Sequence, residues 1–325
     1  MRAYIIRRLL MLILTLLLVS FIIFSLISLL PGDIIDAMQS INMDVELDRP
    51  MLEHQLGLDA PLLVQYARWM GFAPSVDGHF SGVFQGDLGY SLWNRKPVGE
   101  LLAISSPVTF QLGLMALIVS LLIALPISIY SALRQDKWGD YIGRSFAILC
   151  ISVPGFWLGT LVIVLPSIWW GYMPPIMLIH FTEDPIGNLG MFIIPAIVLG
   201  MAQGGAIMRM TRTMMLEVLR QDYIRTAWAK GLRERVVVMR HALKNALIPI
   251  VTIIGIQVPF MIGGTVIIEQ IFMLPGLSRL LLSAVNTRDD LLISGTLVVF
   301  AFSLMLINLI DDLIYGYLDP RIRYK

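Results

Sequence analysis

Apolar residues fill this chain in long unbroken blocks, not in the alternation of a half-buried strand or the narrow stripe of a surface helix. Six windows contain no Asp, Glu, Lys or Arg: Leu9–Leu30, Leu101–Leu133, Ser145–Thr182, Pro185–Met208, Asn245–Ile268 and Leu291–Ile310. Crossing a hydrocarbon core of about 30 Å takes roughly 20 helical residues, and every window reaches that length. The pattern predicts an all-α membrane protein with six transmembrane helices. The first window is a near-continuous run of Leu, Ile, Val and Phe. Such residues favour insertion by about 0.3 to 0.6 kcal/mol each at the helix centre, whereas one central Arg would cost about 2.5 to 3.5 kcal/mol. The third window exceeds one span and contains Pro154 and Pro166. It predicts a kinked helix ending near Trp169–Trp170, where indoles can sit at the membrane interface, followed by a short non-cytoplasmic loop.

The polar remainder sets the direction. With the N-terminus inside, the cytoplasmic pieces are 1–8, 134–144, 209–244 and 319–325, and they hold eighteen Lys and Arg; the opposite side holds six. Basic residues favour the cytoplasmic loops, so both termini are expected inside. The start is basic (Arg2, Arg7, Arg8), but the apolar run is long and "LLPGD" lacks a small-residue cleavage site, which predicts an uncleaved anchor. The division expected is 1–30 for the N-terminus and first span, 31–106 for an outer cap, 107–318 for the core including a 209–244 cytoplasmic loop, and 319–325 for the tail. The cap carries ten carboxylates. Its stretch "MLEHQLGLDAPLLVQYARWM" has apolar residues at helical spacing, broken by Gly57 and Pro61.

Composition agrees. Only 14% of the 325 residues are charged, where a soluble domain has about a quarter. The net charge of +1 says little about partners, and no nucleic-acid partner is expected. Cys150 is the single cysteine, which excludes an internal disulfide or a zinc framework. The chain has no GxxxxGK[ST] loop, HExxH motif, paired carboxylates or Ser/His/Asp grouping, and its four histidines are scattered. It therefore reads as a non-catalytic subunit with no catalytic residue, cofactor or metal site of its own.

One loop departs from the rest. Between Arg209 and Lys244 nine basic and three acidic residues fall in 36 positions. "TRTMMLEVLRQDYIRTAWAK" places Met215, Leu219, Tyr223 and Ala227 four apart, which predicts one apolar stripe along a single helix. Gly231 then stops it, since glycine takes the left-handed conformation freely. A second helix from Glu234 to about Asn245 leads into the next span. This helix–turn–helix is either a positive loop held against anionic membrane lipid or a docking element for a soluble protein.

The residues of this loop resemble the cytoplasmic "EAA" loop of ABC importer permeases, in the form found in the B-type permease of the dipeptide/oligopeptide/nickel family. "LEVLRQDYIRTAWAKGL" and "HALKNALIP" carry the likeness. Arg225-Thr226-Ala227 stand where Glu-Ala-Ala is general, Gly231 matches, and Trp228 replaces the Arg usual there. "LLPGD", "LGLDAP", "GDLGYS", "SVPGFWLG", "PAIVLG", "EQIFMLPGLSRLL" and "DPRIR" follow in family order. The resemblance implies the type I ABC importer permease fold in a prokaryotic inner membrane. It implies a second homologous permease, two ATPase subunits that hold ATP and Mg, and an extracytoplasmic substrate-binding protein. Asp222, Tyr223, Arg225, Thr226, Ala227, Lys230, Gly231 and Leu232 would be the ATPase-coupling residues, with Tyr223, Thr226, Ala227, Gly231 and Leu232 at the contact itself. The cargo would be peptides, with nickel, glutathione or oligosaccharide as alternatives.

For the translocation path the sequence offers Gln203, Gln257 and Met261, with Asn308 as a further polar position. Spanning Met and Gly also serve ordinary helix packing. A stand-alone secondary transporter would need charged groups at mid-membrane and inverted repeats. The charge-free windows argue against one, and no GxSxG or partnered His supports an intramembrane hydrolase.

Overall fold

The computed structural model describes residues 2–29, 32, 34–41, 48–173, 175 and 177–318, excluding the side chains of 2–5, 37, 40, 41, 248, 260, 261 and 314–318. The expected tail at 319–325, the side chain of Met261 and three residues of the "LLPGD" motif lie outside them.

Among the described residues, four helices are long and apolar enough to cross a membrane unbroken: Ile6–Ser28 of α1 (Arg2–Ser28), α5 (Val98–Leu133), α8 (Pro185–Leu219) and Asp290–Leu313 of α13 (Asp290–Leu318). Two more spans arise if bent pairs each count as one. These are α6 (Trp138–Ser152) with α7 (Gly155–Trp170), bent by 94°, and Glu234–Leu247 with Pro249–Pro259, bent by 52°. The first bend is far sharper than the expected kink. Pro154 bars the preceding residue from the helical region, and Val153 leaves the helix altogether at φ −83°, ψ 119°. Pro166 stays inside α7, which ends at Trp170 with Gly171 left-handed, where the sequence places the end.

The described residues divide into two compact units, one within 2–108 and 275–306, the other within 109–274 and 307–318. In the first unit only 11% of the apolar window of α1 is buried, as a helix apolar on every side has when lipid is its solvent. Between α1 and α5 lie α2 (Ile34–Ile41), α3 (Arg49–Leu56), α4 (Leu62–Met70) and a two-strand ladder, β1 (Tyr90–Ser91) antiparallel to β2 (Lys96–Pro97). Asp48 caps α3, accepting from the Met51 N–H at 3.3 Å. α4 docks on α1 through Tyr66, whose hydroxyl lies 2.8 Å from Ser20 Oγ and 3.2 Å from the Leu17 carbonyl. Trp69 stacks on Phe24 at 5.5 Å. α12 (Leu277–Thr287) and the start of α13 pack with Ile27, Val98 and Leu102 in the same unit.

In the second unit α8 is the centre. It packs against α6, α7 and α11 (Leu243–Ile271), and 61% of its apolar window is buried. Between α8 and α11 the chain forms α9 (Asp222–Ala229), α10 (Glu234–Val236) and a π-helical segment, Val237–Ala242.

Candidate functional site

α8 does not run on into α9 as one helix. Arg220 ends it, Gln221 turns extended at φ −71°, ψ 148°, and α9 restarts at Asp222. The restart shifts the helical phase: of the expected four-spaced stripe, Met215, Leu219 and Ala227 enter the core and Tyr223 does not. Ile224 and Ala227, one turn apart, point inward and join Met215, Val237, Val238, Ala242, Ala246 and Ile250 in one core. Tyr223 is turned out at 43% exposure. Its hydroxyl accepts from Asn245 Nδ2 at 2.8 Å, and the same amide nitrogen donates to the His241 carbonyl at 3.0 Å. One residue of α11 thus straps the start of α9 in place.

α9 ends on Gly231, left-handed at φ +73°. The Gly231 N–H donates to the Trp228 carbonyl at 2.9 Å, and the Leu232 N–H to the Ala227 carbonyl at 3.4 Å. These bonds satisfy carbonyls that a helix end otherwise leaves open, in the Schellman pattern. A Cβ at Gly231 would meet no atom within 4 Å, so only its dihedral calls for glycine.

After the turn, α10 passes into the π segment, a wider helix that recurs at functional positions. There Val237, Val238 and Ala242 face the core while Met239, like Val236 at the end of α10, faces out.

The outer surface of this elbow is therefore definite. Tyr223, Trp228, Leu232, Val236 and Met239 form its exposed large apolar residues. Exposed Arg225, Lys230, Arg233, Arg235 and Arg240 stand among them. Apolar centres edged by Arg and polar groups are the composition of a protein-binding surface. Of the eight residues that the sequence proposes for coupling, seven are exposed together on this one elbow. Ala227 is the exception. It is buried in the core beneath, so a direct contact from it is closed off and its part is packing. Asp222 and Arg225 pair at 3.2 Å in the open. Sequence reasoning passed over Val236, the last residue of α10, and Met239, because the passage from α10 into the π segment has no sequence signature.

Beneath the elbow lies a second feature that no sequence spacing announces. Asp140, fully buried in the first turn of α6, receives two 2.7 Å hydrogen bonds from Arg212, one turn before Met215 on α8. Arg212 Nε also donates to Ser131 Oγ at 3.1 Å, Ser131 donates to Asp140, and the Asp136 N–H reaches Asp140 Oδ2 at 3.0 Å. A bidentate pair with its remaining acceptors filled is geometrically fixed. It joins the end of α5 and the start of α6 to α8.

The residues proposed for the path are less gathered. Gln203 on α8 and Gln257 on α11 are half-buried. The antiparallel packing that sets Leu199 beside Gly264 brings them within about one turn of the same level. Gln257 Oε1 is buried with no hydrogen-bond partner among the described residues. Asn308 is exposed on α13. No group of three His, Cys, Asp or Glu among the described residues could hold a metal ion.

Comparison with known proteins places these features. The family "Binding-protein-dependent transport system inner membrane component" matches residues 124–324, and its N-terminal companion family matches 1–113. A putative peptide transport system permease protein of Brucella abortus (strain 2308) is 38% identical over 326 residues, covering 100% of both chains. The glutathione transport system permease protein GsiC of Salmonella typhi is 36% identical over 322 residues, covering 99% of both. Among solved structures, the crystal structure of an amino acid ABC transporter with histidines matches with a TM-score of 0.50 at 14% identity, over 69% of this chain and 94% of that one. That last likeness carries the fold alone. The chain belongs to the binding-protein-dependent inner-membrane transport family and is a multi-pass ABC importer permease of the dipeptide/oligopeptide branch with the type I importer fold.

Proposed function

We propose that this permease forms half of the translocation pathway of an ATP-driven importer of short peptides, and that the elbow at 222–245 is where it couples to the ATPase subunits. A second homologous permease completes the pathway, two ATPase subunits hold the ATP and Mg, and an extracytoplasmic binding protein delivers the cargo. The excess of basic residues, eighteen against six, supports an orientation with the elbow and both termini on the cytoplasmic side. One observation carries the reading. A strip of large apolar side chains is exposed on an elbow whose inner face is packed in the core, whose two ends are tied by the Asn245–Tyr223 hydrogen bond and whose middle is set by the Gly231 turn. A tether for lipid needs basic charge but no such rigidity. A lever must be stiff, because a loose loop absorbs displacement instead of passing it on.

Peptide cargo is supported by the names of the relatives, and the glutathione system among them moves a tripeptide, so both fall within one substrate class. The test is Gly231→Val in the complete importer reconstituted in proteoliposomes. The variant should hydrolyse ATP while peptide uptake falls at least about tenfold, since a β-branched residue cannot hold the left-handed turn. Unaltered uptake would remove the coupling role from the elbow.

A further inference from the structure

The first unit contains a cavity of about 440 Å³. Its volume falls within the roughly 300–1,000 Å³ of small-molecule sites. Its walls come from the end of α1, from α3 and α4 and the loops after them, and from the residues that open α13. Aromatic and aliphatic side chains, Phe24, Ile27, Trp69 and Leu291, supply the apolar part.

The charges around it are lopsided. Four carboxylates, Asp77, Asp87, Asp289 and Asp290, line the cavity against a single guanidinium, Arg68. Asp289 is 1% exposed. Its carboxylate accepts from Ser91 Oγ at 2.5 Å and from the Leu292 N–H at 3.2 Å, the second bond being the N-cap of α13. Both donors are neutral, and no cation among the described residues pairs with it. Burial pushes the Asp289 carboxyl above the ordinary range, with the Ser91 hydrogen bond opposing. Arg68 is likewise in no ion pair with a described carboxylate; its field reaches Asp59 only as the last and weakest influence there. Its Nη1 would lie 3.2 Å from a Cβ on Gly57, a residue held at φ +70°, so the glycine leaves the guanidinium its place.

A buried carboxylate without a counter-ion, an apolar aromatic wall and a guanidinium without a carboxylate fit a ligand that brings both missing charges and an apolar body. An ammonium also gains from aromatic rings nearby. Resting on the peptide reading above, we propose that this cavity binds the free amino end of a short peptide, with the ammonium at Asp289, the first side chain against Phe24 and Trp69, and the carboxylate at Arg68. Side-chain amides and hydroxyls on the walls, Gln55 and Ser81 among them, suit a peptide backbone better than acyl chains. Under the proposed orientation the site faces outward, where a delivered peptide first meets this subunit.

The test titrates the complete importer in nanodiscs, without binding protein, with the tripeptide Phe-Ala-Ala, its N-acetyl form and its C-terminal amide, read by calorimetry. Phe-Ala-Ala should bind saturably. N-acetylation or Asp289→Asn should each weaken it about tenfold or more, and the two together should cost little more than either alone. Amidation and Arg68→Gln should form a second such pair. Asn remains a good N-cap, so the fold of α13 survives the first variant, and the peptide forms test the idea on the unaltered protein. No binding, or equal binding of the free and acetylated peptides, overturns the proposal. So does phosphatidylethanolamine, whose headgroup offers the same pair of charges, if native mass spectrometry finds it held by the parent protein, released by Asp289→Asn and competing with the peptide. Uptake of Phe-Ala-Ala driven by ATP and binding protein is measured in parallel. Uptake without binding at the cavity sinks this inference alone, whereas an active importer that takes up no peptide sinks the reading beneath it.

Discussion

Two turns in this protein share one backbone design and differ in what covers them. α4 ends on Gly71 at φ +87°, with the Gly71 N–H on the Arg68 carbonyl at 2.9 Å and the Phe72 N–H on the Ala67 carbonyl at 2.8 Å. α9 ends on Gly231 with the same two bonds in the same places. Around Gly71 the chain closes in. A Cβ there would fall 1.9 Å from Gln85 Oε1, and Gln85 Nε2 donates to the Gly71 carbonyl at 3.2 Å. Around Gly231 a Cβ meets nothing. The first turn is finished by its own chain; the second is left bare, although its inner face is packed as tightly. A rigid, uncovered turn with apolar side chains beside it is what a separate subunit can use.

The bare turn nonetheless rests on a foundation, and breaking that should have the largest effect. Asp140→Ala leaves the Arg212 guanidinium without its carboxylate, and removing one partner of a buried pair costs about 3–5 kcal/mol. Thermal unfolding of the assembled importer in detergent should show the loss, and the elbow should become sensitive to limited proteolysis. If Tm held, the ion pair would not be what steadies this region. Next comes Gly82→Ala on the covered turn. Its Cβ would lie 2.3 Å from the Gly71 nitrogen and 2.6 Å from the Trp69 carbonyl, backbone atoms that cannot swing aside. A loss of about 3 kcal/mol is expected, at the upper end of overpacking, read as a lowered Tm. An unchanged Tm would mean that the cap is looser than its packing implies.

The contrast between the two turns explains what the sequence discloses and what it withholds. Membrane spans are legible because insertion depends on composition over about 20 residues, and charge-free windows report it directly. Gly231 is legible because one residue type satisfies its dihedral. The phase of α9 is not, since a break at Gln221 moves Ile224 rather than Tyr223 into the core, and glutamine carries no stop signal. Pro154 and Pro166 look alike in sequence, yet one makes a 94° bend and the other stays within a helix. The difference shows in the residue before each: Val153 leaves the helix, whereas the chain before Pro166 stays helical. Asp140 and Arg212 are 72 positions apart, and only the packing of α6 on α8 makes them neighbours. The residues proposed for coupling come from resemblance, not from spacing, and Ala227 shows the limit of that route: a motif position can serve the fold under the surface.

Gly231→Ala probes the bare turn more gently. With open space around the new methyl, only the left-handed dihedral is charged, about 1 kcal/mol. Tm of the assembled importer should fall by a few degrees at most, well short of Gly82→Ala. A drop as large as that of Gly82→Ala would show Gly231 to be covered after all, and would erase the distinction between the two turns.

The smallest effect on stability should come from Arg225→Ala, and it is the sharpest test of the surface. Arg225 and Asp222 form their pair with side chains 76% and 93% exposed. Water and salt screen such a pair, so its loss should change folding stability by no more than a few tenths of a kcal/mol. A partner seated on the elbow would take the guanidinium out of water, where its loss weighs more. Co-purification of the ATPase subunits across a salt series should therefore weaken in Arg225→Ala while Tm stays put, and the parent should lose partner faster than the variant as salt rises. Equal salt dependence in both proteins would mean that nothing docks on this charge. A Tm shift as large as the binding defect would mean that Arg225 serves the fold, and that the bare turn is less bare than Gly231 makes it look.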